Sequence, residues 1–148
     1  MKIKNFILIK FIFIFIFLIN SNEAKTEGCD TTVSSSLTSQ LECTDDDTLN
    51  VTINGSVIKT GADTIHAKSH SDVTIDNKGT ISASTNQAIN MQHAVNTTVT
   101  NSGTIEATLR NAILMDGNNA DNNTINNSGT LKAGKKQVIL ATNSENTT

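Results

Sequence analysis

The sequence predicts an all-β protein: a parallel β-helix solenoid of about four coils, each of 24–26 residues, after an N-terminal signal segment. Three observations predict this fold. Glycines recur at a near-constant spacing, aliphatic residues keep fixed distances from those glycines, and the residues between them alternate in polarity. A repeat of this length cannot bury a core alone, so successive repeats must stack on one another.

The first element, residues 1–24, has the features of a secretory signal peptide. Lys2 and Lys4 give a positively charged start, residues 11–19 form an unbroken apolar run, and Ala24 is a small residue at a suitable cleavage position. A membrane-spanning helix needs about 20 consecutive apolar residues, and Lys10 interrupts this stretch. The sequence therefore predicts export, to a compartment where a disulfide can form.

The second element, residues 25–47, is predicted to be an N-terminal cap on the solenoid. It contains the only two cysteines, Cys29 and Cys43, which we expect to close the cap with a disulfide. The three aspartates at 45–47 would discourage edge-to-edge association of the open end. A disordered stretch with two free thiols is the alternative for this segment.

The repeats occupy residues 48–148 and align on Gly55, Gly79, Gly103 and Gly129, whose spacings are 24, 24 and 26. Aliphatic residues stand at constant distances before and after each glycine, and period-two alternation around them indicates three short strands per repeat. The predicted core stack consists of Val51, Val57, Ile65, Ile75, Ile81, Ile89, Met91, Val99, Ile105, Ile113, Met115, Ile125, Leu131 and Ile139.

An asparagine stands two residues before three of these glycines, at Asn77, Asn101 and Asn127. Asn and Gly both tolerate positive φ, so we expect turns with left-handed residues at these places. Stacking would also bring the three asparagines into a ladder of amides, each bonded to the next. Thr80, Thr104 and Thr130 would form a parallel row of hydroxyls on the outer surface.

The composition favours a narrow solenoid over an ordinary globular domain. The chain has 148 residues, no Pro, Trp or Tyr, and all five Phe lie within the first 17 residues. Globular cores normally include large aromatic rings. After residue 24, 8 positive and 13 negative side chains give a net charge of −5, so no basic patch is available to bind nucleic acid.

A leucine-rich repeat has a similar period and is the main competing fold. Residues 25–148 contain only seven Leu and no segment with helical periodicity, so the sequence disfavours it.

The sequence predicts no catalytic residue, no cofactor and no metal site. The register points His66 outward and places His70 and His93 in turns of successive coils, where those two could form a weak metal site with Asp63, Asp72 or Asp76. No complete ligand set is evident, so we interpret the histidines as solvated. The loop at 116–121 is rich in oxygen ligands but lacks the spacing of an EF-hand, so we interpret it as an irregular surface turn.

Two segments resemble the repeats of a known family. The sequence Asn-Ser-Gly-Thr-Ile-x-Ala at 101–107, nearly repeated at 127–133, and the Asn-Ala-Ile at 111–113 resemble repeats of bacterial autotransporter passenger domains, which belong to type V secretion. The resemblance implies a right-handed parallel β-helix at the cell surface, attached to the outer membrane by a C-terminal β-barrel or secreted. These 148 residues include no such barrel, since no aromatic residue follows position 17.

The resemblance implies a non-catalytic adhesin or structural scaffold whose partner is a host-surface molecule or a carbohydrate. The alternative is a fragment of a carbohydrate-active β-helix enzyme, a polysaccharide lyase or hydrolase. Such enzymes gather carboxylates in a groove, whereas the outward acids Asp76, Glu106, Asp116 and Asp121 are scattered along the sequence. Binding of ice or another crystal surface through the threonine row is a third, weaker hypothesis.

We expect the natural chain to continue beyond Thr148. Residues 141–148 match residues 91–98 position for position, and in the earlier repeat that segment leads into a core strand and a turn glycine.

Overall fold

The computed structural model describes residues 27–148. The predicted signal peptide at 1–24 lies outside the described residues. Every regular element in the described part is a β-strand, and the strands form three parallel sheets.

The first sheet contains β1 (Glu27–Gly28), β4 (Leu41–Glu42), β7 (Ile65–His66), β10 (Ile89–Asn90), β13 (Ile113–Asp116) and β16 (Ile139–Thr142). The second contains β2 (Thr31–Val33), β5 (Thr48–Val51), β8 (Thr74–Asn77), β11 (Thr98–Asn101) and β14 (Thr124–Asn127). The third contains β3 (Ser36–Leu37), β6 (Ser56–Lys59), β9 (Thr80–Ala83), β12 (Thr104–Ala107) and β15 (Thr130–Ala133).

The strand pairing confirms the predicted fold class. In the first sheet, parallel pairing links Leu41, Ile65, Ile89, Ile113 and Ile139 in succession, so four coils take 24, 24, 24 and 26 residues. Each strand pairs with the strand one coil further along the chain, as a parallel β-solenoid requires.

The segment predicted to be the N-terminal cap forms strands of the solenoid itself. Its described part, 27–47, supplies β1 to β4, and these strands pair in the same three sheets as the repeats. Glu27 pairs with Leu41, so this first coil takes only 14 residues. Val33 and Leu41 point into the core like the aliphatic residues of later coils, which explains why the segment winds with them.

The structure joins Cys29 to Cys43, with the two Cα atoms 4.5 Å apart. Both side chains are buried at the end of the core, 0% and 1% exposed. The bond therefore links the short first coil to the coil that follows it.

We expect the double substitution Cys29→Ala with Cys43→Ala to lower the free energy of unfolding by about 3 kcal/mol, because a loop of this length restricts the unfolded chain. Urea unfolding of the purified chain measures this loss. Treating the wild-type chain with a reductant should reproduce the shift, and the double variant should not respond to the reductant. Equal stability of the oxidised wild-type chain and the double variant would contradict the prediction.

One position of the predicted register is wrong. The glycine alignment placed Val51 opposite Ile75, but the structure pairs Leu49 with Ile75 and Val51 with Asn77. Both Leu49 and Val51 are buried, so Leu49 is a core residue that the alignment missed. The third sheet regains the predicted register at once, since Ser56 pairs with Thr80.

The cause is two extra residues in the turn 52–55, which joins the same strands that 78–79 joins in the next coil. The turn carries Ile53, whose side chain is 79% exposed. A corner of a solenoid can absorb an insertion without disturbing the strands on either side.

The predicted core residues from Val51 to Met115 are all buried in one cluster. The last described coil differs: Ile125 and Leu131 are half-buried, and Ile139 is 39% exposed. The strands that carry these three side chains pair with a strand on one side only within the described residues, which explains their partial exposure.

The turn glycines serve a different purpose from the one predicted. None of Gly55, Gly79, Gly103 and Gly129 has positive φ, and nor do the asparagines before them. A Cβ on Gly103 would lie 2.1 Å from the carbonyl oxygen of Gly79 in the preceding coil. Glycine is therefore needed because the backbones of successive coils approach each other too closely for a side chain.

The asparagine ladder is confirmed. The Asn77 Nδ2 donates to the Asn101 Oδ1, and the Asn101 Nδ2 donates to the Asn127 Oδ1, both at 2.7 Å. Asn77 and Asn101 are 0% exposed, so the ladder runs inside the turn that joins the second and third sheets. The amide bonds satisfy polar groups that would otherwise be buried without partners.

Candidate functional site: the first corner

Backbone strain is concentrated at one corner of the solenoid. We define the first corner as the turns that follow β4, β7, β10, β13 and β16 of the first sheet: 43–47, 67–73, 91–97, 117–123 and 143–148. All nine non-glycine residues with positive φ in the described chain lie there: Asp46, Ser69, Asp72, His93, Asn96, Asn119, Asn122, Asn143 and Asn146. Asn and Asp adopt the left-handed conformation more readily than β-branched residues, which explains their density at this corner.

Three of the left-handed residues donate backbone hydrogen bonds to the next coil, in the direction of the solenoid axis. The backbone N–H of Asp72 donates to the Val95 oxygen at 2.9 Å, and that of Asn96 donates to the Asp121 oxygen at 3.0 Å. Asn122 continues the series by donating to the Glu145 oxygen at 2.9 Å. Each of these residues therefore links its own coil to the next at the same point of the turn.

Two histidines pair with acids of the preceding coil. The His66 Nδ1 lies 2.6 Å from the Glu42 Oε2 on the outer face of the first sheet, and both side chains are partly exposed. The His70 Nδ1 lies 3.1 Å from the Asp45 Oδ1 at the first corner. Sequence reasoning placed His66 on the outer surface but did not identify either acid partner.

The third histidine faces the opposite direction along the axis. The His93 Nδ1 lies 2.9 Å from the carbonyl oxygen of Asn118 in the next coil. Its ring packs over Gly117, where a Cβ would lie 2.4 Å from the ring. His70 and His93 therefore contact different coils.

The three aspartates considered as metal ligands form hydrogen bonds or ion pairs with residues other than histidine. Asp72 accepts from the Asn96 Nδ2, and the Asp76 carboxylate pairs with the Lys78 Nζ at 2.7 Å. Asp63, 8% exposed, accepts from the Asn90 Nδ2 at 2.7 Å and from the backbone N–H of Gln87. Within residues 27–148, no group of three or more His, Cys, Asp or Glu side chains is placed to hold a metal ion.

The pKa of the Asp45 carboxyl at this corner lies below its ordinary value of 3.8. A hydrogen bond from the backbone N–H of Ser71, at 2.9 Å, lowers the pKa of this carboxyl, and the hydrogen bond with His70 lowers it further. Because the folded pKa is lowered, the ionised carboxylate stabilises the folded chain at pH above 3.8. That contribution disappears as the pH falls through the lowered value.

We expect Asp45→Asn to lower the urea midpoint slightly at neutral pH, and the difference from wild type to vanish well below pH 3.8. The effect should be small because Asp45 is exposed to solvent. Asp46→Asn is the matched control, since Asn suits its positive φ and no side-chain hydrogen bond to Asp46 is present among residues 27–148. A difference for Asp45→Asn that persists unchanged in acid would contradict the assignment.

An open hollow of about 430 Å³ lies at the last two turns of the first corner. It is lined by Asn118, Asn119, Asp121, Asn143, Ser144 and Glu145. The Asp121 Oδ1 accepts from the backbone N–H of Glu145 at 2.8 Å, so one of its two oxygens already holds the next coil. The hollow coincides with the irregular turn predicted at 116–121.

The outer faces carry columns of small polar residues. The predicted row of Thr80, Thr104 and Thr130 is in register on the third sheet. A second column, which sequence reasoning missed, runs along the second sheet and consists of Thr48, Thr74, Thr98 and Thr124. A search for threonines at the coil spacing could have found it.

The remaining outward acids are apart from one another. Glu106 accepts from the Ser82 Oγ at 3.1 Å and lies 4.0 Å from the Lys132 Nζ, on the third sheet. Asp116 accepts from the Thr142 hydroxyl at the end of β13 in the first sheet. Asp76 is on the second sheet. The structure therefore does not bring Asp76, Glu106 and Asp116 together.

The fold defines this chain as a parallel β-solenoid. No protein-family model matches the sequence, and no curated protein or solved structure shows significant similarity to it. None of the described residues belongs to a helix of the length and apolarity that a bilayer span requires.

Proposed function

We propose that the chain is a non-catalytic passenger domain that is exported and displayed on the bacterial cell surface or secreted, where it acts as an adhesin-like or structural scaffold. The observation that carries the proposal is that outward polar side chains form hydrogen bonds between neighbouring coils. Pairs such as Glu42 with His66 and Ser82 with Glu106 connect one coil to the next. Side chains that hold neighbouring coils together build a rigid rod rather than a reaction centre.

Export is supported by two separate features. Residues 1–24 have the sequence of a signal peptide, and the disulfide between Cys29 and Cys43 belongs to an oxidising compartment. The resemblance of 101–107 to autotransporter repeats supports attachment to the outer membrane through a C-terminal β-barrel. The proposed ligand is a host-surface molecule or a carbohydrate, which binds to the outer polar faces of the solenoid.

Localisation gives the first test. Mild proteolysis of intact cells of the source organism, followed by detection with an antibody to residues 27–148, should remove the protein or find it in the medium. Mass spectrometry should place the mature N-terminus near residue 25. Protein that remains inside the cytosol with residues 1–24 attached would overturn the proposal.

Binding and turnover give the second test. The purified chain should bind to a subset of glycans on an array or to host cells, with no change in the length of the bound polysaccharides. Thr74→Val with Thr100→Val alters the outer face of the second sheet, and Thr104→Val with Thr130→Val alters the third sheet as a matched control. Loss of binding with the first variant alone would locate the ligand on the second sheet.

A carbohydrate-active enzyme is the second candidate, and the hollow at the first corner is the observation that favours it. Two carboxylates, Asp121 and Glu145, line this hollow, and glycoside hydrolysis uses a pair of carboxylates. Screening the chain against plant, algal and bacterial polysaccharides tests this alternative. Turnover that is lost in both Asp121→Asn and Glu145→Gln, but kept in Asp76→Asn, would replace the scaffold proposal.

A further inference from the structure

We propose that the first corner carries a row of acceptor sites for asparagine-linked sugars, formed by Asn96, Asn122 and Asn146. The proposal goes beyond the scaffold function and does not depend on what the scaffold binds. It requires that the folded chain meets a glycosyltransferase together with an activated hexose.

The row begins as a repeated sequence feature. Each of the five turns of the first corner contains Asp or Asn, then any residue, then Thr, at 46–48, 72–74, 96–98, 122–124 and 146–148. In the last three turns the first residue is Asn, which gives the Asn-x-Thr acceptor sequence of N-glycosylation. Three other Asn-x-Ser/Thr triplets lie outside this corner, and they begin at Asn50, Asn54 and Asn126.

The structure presents the three acceptors in the same way. Asn96, Asn122 and Asn146 are exposed, and their φ angles of 55°, 57° and 51° place them at the same point of successive turns. The residues that follow the first two, Thr97 and Asn123, are fully buried. The asparagine and the threonine two positions later therefore lie on the outer side of the chain, where an enzyme can contact both.

The acceptor amides are only weakly engaged. The Asn96 Nδ2 donates to the Asp72 Oδ1 at 3.1 Å, in an exposed hydrogen bond. Within residues 27–148, no side-chain hydrogen bond engages the amide of Asn122 or of Asn146. By contrast, the buried Asn123 is held by two hydrogen bonds, one through its Nδ2 and one through its Oδ1.

The reaction needs a glycosyltransferase and a nucleotide-activated hexose. The side-chain amide nitrogen forms a bond to the anomeric carbon of the hexose and gives up a proton to a base of the transferase. The bond from that carbon to the phosphate oxygen breaks, and the nucleoside diphosphate leaves with the bonding electron pair. Adjacent coils are about 4.8 Å apart, so neighbouring acceptors leave room for single hexoses rather than branched oligosaccharides.

A purely conformational role is the competing explanation for the row. Asp46 and Asp72 occupy the same place in earlier turns with φ of 65° and 60°, so Asp and Asn alike satisfy the left-handed turn. Asp72 also supplies a sharp test, because Val73 and Thr74 follow it. Asp72→Asn therefore completes a fourth acceptor triplet at a position with the same geometry.

The test uses the folded full chain, a soluble transferase specific for Asn-x-Ser/Thr, and UDP-glucose. Intact mass and peptide mapping should show one hexose each at Asn96, Asn122 and Asn146. Asp72→Asn should add one hexose, and Thr98→Val should remove the hexose from Asn96. Thr100→Val, two residues further along the same outer face, is the matched control and should change nothing. Circular dichroism confirms that each variant is folded.

Two further measurements test separately whether folding controls which asparagines can be modified and whether the modification occurs in the source organism. Tryptic peptides of the chain should accept hexose at Asn50, whereas the folded chain should not, since Asn50 lies half-buried within β5. Peptide mapping of the protein isolated from the source organism should show hexose at Asn96 and Asn122. Unmodified Asn96 and Asn122 in that material, or a folded Asp72→Asn variant that gains no hexose, would overturn the proposal.

Discussion

Gly103→Ala should lower the free energy of unfolding by about 3 kcal/mol, the upper end of the usual range for overpacking. The new Cβ would lie 2.1 Å from the Gly79 oxygen and 2.7 Å from the Lys78 carbonyl carbon. Both atoms belong to the backbone of the preceding coil, so no side-chain rotation can relieve the clash. The two coils must separate locally, which weakens the hydrogen bond from the Thr104 N–H to the Gly79 oxygen, 2.8 Å in the wild-type chain.

Urea unfolding followed by circular dichroism measures this effect. Gly28→Ala is the matched control, since no atom lies within 4 Å of a Cβ at that position and its φ is not positive. The control should be within about 0.5 kcal/mol of wild type. Equal stability of the Gly103→Ala and Gly28→Ala variants would contradict the close approach of the coils at this turn.

Asn101→Ala should also destabilise the chain by about 3 kcal/mol, because it removes the middle member of the buried ladder. The Asn101 Nδ2 donates to the Asn127 Oδ1 at 2.7 Å and to the Thr130 oxygen at 3.2 Å. Its Oδ1 accepts from the Asn77 Nδ2 at 2.7 Å. The substitution removes all three hydrogen bonds from a position that is 0% exposed, and it opens a small cavity as well.

The chemically matched control is Asn126→Ala, which shortens an exposed asparagine in β14. We expect its free energy of unfolding to stay within about 0.5 kcal/mol of wild type. Hydrogen exchange adds a local measurement: in Asn101→Ala, the amides of Gly103 and Gly129 should exchange faster than in wild type, since both donate to the backbone at the ladder. Similar losses in the two asparagine variants would show that the ladder contributes nothing specific.

The sequence by itself determined the period of the solenoid, the three strands per coil and the direction in which most side chains point. These features follow from short-range alternation and from a constant repeat length, both of which can be read along the chain. The asparagine ladder could be predicted for the same reason, because Asn77, Asn101 and Asn127 hold the same place in each repeat. The class of fold therefore required no knowledge of any contact between coils.

Where the alignment failed, an insertion was the cause. The glycine alignment assigned Val51 to the place that Leu49 holds, because two extra residues can enter the turn at 52–55 or the turn before β5 without changing the sequence pattern. The choice depends on which strands pair, and pairing depends on residues about 24 positions apart. The pairing of the segment 27–47 with the repeats was likewise not predicted, because its short coil does not match the period of the others.

Tertiary structure also decided the purpose of individual residues. The turn glycines were expected to supply positive φ, but they are needed because backbones of adjacent coils nearly touch there. The left-handed residues lie at the first corner instead, where Asp72, Asn96 and Asn122 each donate the backbone N–H to the next coil. Partners such as Glu42 and His66 came together only when the coils stacked. A sequence fixes which residues repeat, whereas the inter-coil register and the distance of a few ångströms between coils decide which atoms meet.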